Sequence, residues 1–207
     1  MDLNNYLAYV IISFLTITSP GAAILLAINN GIQYNLKAVV FSTFGNILGL
    51  FLLSFVAMFG VGALLKSSDI FFLILKIIGA GYLIYLGVMQ ILNKHLTFNI
   101  QNNKNHLENI NHKQIFKKGF LVAATNPKPI LFFTAIFPLF ISKDYVIFPQ
   151  FLIMTFTFMI ISFCSLLFYG YISKTAKAWF FNEKSLSIFY KISGSLFILM
   201  GIGMLFI

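Results

Sequence analysis

Two proline interruptions and one lysine hold the chemistry that this chain can do. Thr18-Ser19-Pro20-Gly21 lies inside the first long apolar run, and Thr125-Asn126-Pro127-Lys128-Pro129 lies inside the fourth. Proline has no N–H and its ring disturbs the preceding turn, while glycine loosens the backbone further. A helix broken at Pro20 exposes amide N–H groups at the start of its second half, around Gly21, Ala22 and Ala23. Free amides and the positive end of a half-helix together favour an anionic group. Pro127 and Pro129 do the same in the fourth run, with Asn126 as a cap. Lys128 adds a full positive charge, and ions inside a membrane segment are costly enough to mark function. Pro20, Gly21, Ala22, Asn126, Pro127 and Lys128 are therefore the candidate ligands of a substrate carboxylate. The competing reading makes each proline an ordinary kink and lets Lys128 snorkel to the interface from a span that starts late.

The elements that must position these residues are membrane helices. Of 207 residues, 59% are hydrophobic, 26 are Phe and only 9% are charged, against roughly 25% charged in soluble domains. The apolar runs reach about 20 residues, enough to cross a hydrocarbon layer of about 30 Å at about 1.5 Å per residue. Six spans are expected, near 6–28, 38–65, 70–92, 117–141, 145–172 and 185–207, packed as a single domain over 1–207. The first run is no signal peptide, because Met1 to Asn5 carries Asp2 and no Lys or Arg. Residues 93–116 form the one long polar segment, a linker between halves 1–92 and 117–207.

The net charge of +9 comes from lysines that flank spans and meet lipid headgroups, with no Lys-rich block interleaved with aromatics. Nucleic acid is therefore not an expected partner. With six spans, the loops after the first, third and fifth hold nine lysines and the opposite loops hold two, Lys66 and Lys143. That partition puts the lysine-rich loops in the cytoplasm and both termini outside. Lys76 and Lys191 lie about one and a half turns inside their spans and read as snorkelling anchors. Gly45 and Gly49, Gly79 and Gly81, and Gly194 and Gly201 suit close helix packing.

Two short matches recur in the same order. Pro127 follows Pro20 by 107 residues, and Lys191-Ile192-Ser193-Gly194 follows Lys76-Ile77-Ile78-Gly79 by 115. A duplicated three-helix unit fits this, and an odd number of spans forces the halves to lie inverted. Broken helices at matching places in inverted halves are a sequence signature of a transport site. No acid falls inside a span: Asp2, Asp69, Glu108, Asp144 and Glu183 all sit in loops or at ends. No phosphate-binding glycine loop and no Ser/His/Asp or metal constellation appears, which argues against ATP hydrolysis and against an enzyme. His95, His106, His112 and Glu108 match no ligand spacing, and the lone Cys164, read as buried, makes no redox pair. No cofactor is expected.

At this point the chain resembles, over its whole length, the lysine exporter/threonine-homoserine exporter (LysE/RhtB) translocators. The first span reads Ser19-Pro20-Gly21-Ala22 where the family has Pro-Gly-Pro, and Gly45 and Gly49 match glycines four apart in the second. The third is similar over Lys76-Ile77-Ile78-Gly79-Ala80-Gly81-Tyr82-Leu83 and the fourth over Asn126-Pro127-Lys128-Pro129-Ile130-Leu131-Phe132-Phe133. The resemblance implies a six-span inner-membrane protein that exports amino acids or related zwitterions, driven by the proton gradient. A homo-oligomer is compatible with it. Ala22 departs from the second proline of the motif, and Leu50 stands where many members carry Asp. Two other functions compete: export of a divalent metal of the cadmium type, which needs converging Cys, His or carboxylate ligands, and a non-transporting scaffold or assembly factor.

Overall fold

The computed structural model describes residues 2–19, 21–65, 69–92, 111–142, 144–173 and 182–206. Pro20 and most of the polar segment, with His95, His106 and Glu108, lie outside the described residues. Every regular element among those residues is helical: α1 (Leu3–Thr18), α2 (Ala22–Gln33), α3 (Leu36–Leu65), α4 (Asp69–Leu92), α5 (His112–Thr125) and α6 (Pro127–Leu131) come first. A π-helical turn (Phe132–Ile136) and a 3₁₀ turn (Phe137–Phe140) continue α6, and α7 (Ile147–Ile172) and α8 (Glu183–Phe206) close the chain.

Two uninterrupted segments, Leu36–Phe59 of α3 and Ile147–Ile172 of α7, are long and apolar enough to cross a membrane. Pro149 does not break α7, because it falls in the first turn, where a backbone N–H has no intrahelical acceptor. The pairs α1–α2 and α5 with Pro127–Phe140 are bent by 51° and 47°, and counting each pair as one span gives four. α4 and α8 add shorter apolar stretches, Lys76–Leu92 and Tyr190–Gly203.

The helices divide into faces. On α3, Phe44, Leu48, Leu52, Phe55 and Phe59 form an exposed stripe, while Ser42, Thr43, Asn46, Leu50 and Ser54 are buried. A soluble protein does not leave such stripes open to water; in a membrane chain they face lipid. α3 packs chiefly on α5 and α4 chiefly on α8, with α7 against α1, α2 and α3. Small residues permit the closest of these contacts. A Cβ on Gly45 would lie 2.0 Å from the Phe116 carbonyl oxygen, and one on Gly119 2.0 Å from that of Ser42. Gly87 and Gly194 face each other across α4 and α8, each with the other's carbonyl oxygen where its own Cβ would go.

Three expectations change. Gly81 is exposed with open space around it, so it packs no helix. Cys164 is exposed rather than buried, because it falls on the outward stripe of α7. The fourth apolar segment starts earlier than hydropathy suggests: α5 begins at His112, capped by Asn111, whose side chain accepts from the amides of Lys113 and Gln114. Fourteen helical residues therefore precede Asn126 and fourteen follow it. At about 1.5 Å per residue, the break sits near the middle of the segment rather than early in it.

Candidate functional site

The two breaks converge on one small cavity of about 50 Å³. Thr16, Ser19 and Gly21 reach it from the first break, Asn126, Lys128 and Pro129 from the second, Asn46 and Leu50 from α3, and Phe158 and Ser162 from α7. The cavity sits where two apolar clusters meet, one around Tyr9, Phe132, Phe137 and Phe158 and the other around Ile24, Ile28, Val39 and Leu166. By its volume it holds a few waters, since one water needs about 10–15 Å³ on this measure. An amino acid requires the walls to part.

The breaks share their local chemistry. Thr18 and Thr125, the last helical residues before each, donate their hydroxyls to the carbonyls of Phe14 and Leu121, both at 2.7 Å. Such back-bonding to residue i−4 bends helices. Ser19 and Asn126, which follow, leave the helix with nearly the same angles, φ −64°, ψ 125° and φ −73°, ψ 121°. They differ in capping. Asn126 Oδ1 accepts from the Lys128 amide at 3.0 Å, whereas no side chain caps α2 at Gly21. Among the described residues the first amides of α2 therefore have no intrahelical or side-chain acceptor.

Lys128 joins the breaks: its Nζ donates to the Ser19 carbonyl oxygen at 2.9 Å. Tyr169 of α7 donates to the neighbouring Thr18 carbonyl at 3.0 Å. The end of α1 thus has its last carbonyls answered by two other helices, which a chain interrupted in an apolar medium requires. Asn46 and Ser162 lie across the cavity 3.5 Å apart, and the Thr16 hydroxyl is buried without a hydrogen-bond partner.

Of the candidate residues, Gly21, Asn126 and Lys128 line the cavity. Ala22 and Pro127 are exposed and do not; the inward proline of the second break is Pro129, which is buried. Pro20 lies outside the described residues. Lys76 is half-buried, Lys191 is exposed, and neither reaches the cavity. Sequence alone does not single out Asn46, Ser162 and Thr16, although each shares its buried helix face with another small polar residue, Ser42, Ser165 and Ser13 respectively. Among the described residues no three His, Cys, Asp or Glu side chains gather as a metal site.

Apolar helices with lipid-facing stripes around two broken segments that meet at a small cavity define a membrane protein, and its relatives make it a transport protein rather than an enzyme. The LysE type translocator family matches residues 14–206, and the chain belongs to that family. It is 30% identical over 206 residues to the homoserine/homoserine lactone efflux protein of Salmonella typhimurium, covering 97% of this chain and 96% of that one. It is also 31% identical over 207 residues to the membrane protein YrhP of Bacillus subtilis, covering 97% of each, and 29% identical over 208 residues to a membrane protein of Vibrio cholerae, covering 99% and 97%. No solved structure matches it.

Proposed function

We propose that this protein exports amino acids or related small zwitterionic metabolites across the cytoplasmic membrane. The observation that carries the reading is the meeting of both breaks at one cavity, with Lys128 reaching from the second to the Ser19 carbonyl of the first. Lys128 and the uncapped amides of α2 would hold the substrate carboxylate, and the Ser19 carbonyl, once released by Lys128, would accept from its ammonium group. Asn46, Ser162 and Thr16 leave polar atoms for the rest of the molecule. The homoserine efflux relative supports this substrate class. A metal reading finds little support, since the described lining residues include no thiolate, imidazole or carboxylate of the kind transition metals select.

The proposed architecture is six spans in two inverted halves: α1–α2, α3 and α4, then α5 with residues 127–140, α7 and α8. Exchanging the halves turns the packing of α3 on α5 into that of α7 on α1–α2, and leaves α4 on α8 and α3 on α7 unchanged; all these contacts are present. The matching breaks at Ser19 and Asn126 support the same symmetry. Both termini would face outside. The proton gradient is the proposed energy source, but not through the position of Leu50, which lines the cavity as an apolar residue. The test is efflux from cells preloaded with labelled amino acids of each side-chain class, with and without the protein. Faster loss of at least one class is expected, and equal loss of all classes would refute the reading.

A further inference from the structure

Ser19 is held from a third direction that the transport reading does not use. Gln90, near the end of α4, donates through Nε2 to the Ser19 hydroxyl at 2.5 Å, and its Oε1 accepts from the Ser193 hydroxyl of α8 at 2.5 Å. Ser19 and Ser193 are buried, at 1% and 5% exposure, and Gln90 is half-buried, so each bond has one end shielded from water, where a lost partner is costly. Gln90 and Ser193 flank the Gly87–Gly194 contact, where α4 and α8 approach backbone to backbone. Among the described residues α4 also packs on the π-helical turn after the second break, while the contacts of α4 with α3 and of α8 with α1 are slight.

We infer that Gln90, fixed by Ser193, is a positioning residue of the transport site: it clamps the first break so that the Ser19 carbonyl faces Lys128, and it ties the α4–α8 pair to the state of that break. The inference rests on the proposed site. One serine serves both functions, its carbonyl taken by Lys128 and its hydroxyl by Gln90. A rearrangement that frees Lys128 for a substrate carboxylate by moving Ser19 therefore pulls on Gln90 of α4 and, through it, on Ser193 of α8. Leucine at position 90 keeps the bulk and removes both bonds.

The test needs a readout that does not depend on the substrate. Gly21 lines the cavity, and a Cβ there meets nothing closer than the Ser19 carbonyl oxygen at 4.0 Å, so a Gly21→Cys reporter fits in a Cys164→Ser background. Labelling of that thiol by a water-soluble maleimide should rise about fivefold with Gln90→Leu or Ser193→Ala, the effect of one net hydrogen bond on a local opening. Gln150→Leu, which removes a loop clamp to Ser142 and Tyr145 instead, should leave it unchanged. In the Gly21 protein, Gln90→Leu should raise the internal homoserine concentration for half-maximal efflux about fivefold, and should add little to Lys128→Met because both act through Ser19. Unchanged labelling with Gln90→Leu, or effects of Gln90→Leu and Lys128→Met that simply add, would overturn the inference. If the labelling effect appears but the unsubstituted protein exports no amino acid, the clamp stands and the transport reading falls.

Discussion

Replacing Lys128 by methionine removes the one full positive charge among the described residues of the cavity wall while keeping most of the side chain's length. The cost follows from what Lys128 does in the closed protein. Its ammonium is already answered by the Ser19 carbonyl at 2.9 Å, so binding a carboxylate exchanges one charge-assisted bond for another. The loss is therefore smaller than the roughly 3–5 kcal/mol of breaking a buried ion pair. A hydrogen bond to a charged group contributes about 1.5–3 kcal/mol, and the amides of α2 still hold the carboxylate. About 2 kcal/mol remains, or about thirtyfold in the internal substrate concentration for half-maximal efflux at about 1.4 kcal/mol per tenfold. Lys128→Arg should recover only part, because a planar fork does not replace a point charge. The assay is efflux of labelled homoserine from preloaded cells at matched membrane abundance. Lys76→Ala is the control; it should change abundance rather than apparent affinity, since Lys76 is outside the cavity. Unchanged kinetics for Lys128→Met would reduce Lys128 to a tether between two helix ends.

Gly45→Ala should destabilise the detergent-solubilised protein by about 1–3 kcal/mol in thermal melting, the usual cost of overpacking, because its Cβ would lie 2.0 Å from the Phe116 carbonyl oxygen. Gly81→Ala, with nothing within 4 Å, should melt as the unsubstituted protein does. Tyr169→Phe removes the bond to the Thr18 carbonyl and should cost about 1 kcal/mol in the same melt. A reporter fused to the C-terminus should be active only if it is a periplasmic one; activity of a cytoplasmic reporter there would contradict the six-span count.

Much of this site was legible because proline acts locally. Pro127 and Pro129 interrupt a helix whatever surrounds them, and Lys128 between them is conspicuous in an apolar run. Gly45 and Gly49 likewise announced a close contact, though not with which helix. Other parts were hidden for physical reasons. The partner of Lys128 is a backbone carbonyl, which every residue has and no sequence distinguishes. α3 and α7 intersperse their few buried polar residues among many apolar ones, so mean hydropathy did not mark Asn46 or Ser162 as inward or Cys164 as outward. Residues 112–116, the start of α5, fall in the linker by hydropathy because His112, Lys113 and Gln114 are polar. The inner face of α5 is carried by Ile115, Gly119 and Ala123, too sparse a stripe to stand out. Gln90 and Ser193 are separated by 103 residues and meet only because α4 and α8 pack glycine to glycine.

Transport by this chain alone, through the cavity between the two breaks, is open to direct measurement. The most direct measurement uses the purified protein in liposomes loaded with labelled homoserine and diluted into label-free buffer with an inward proton gradient imposed. Loss of label should be faster than from protein-free liposomes, and slowed about thirtyfold at subsaturating load by Lys128→Met, as the exchange of its bond to Ser19 requires. Loss of homoserine and of every other labelled amino acid at the protein-free rate would contradict it.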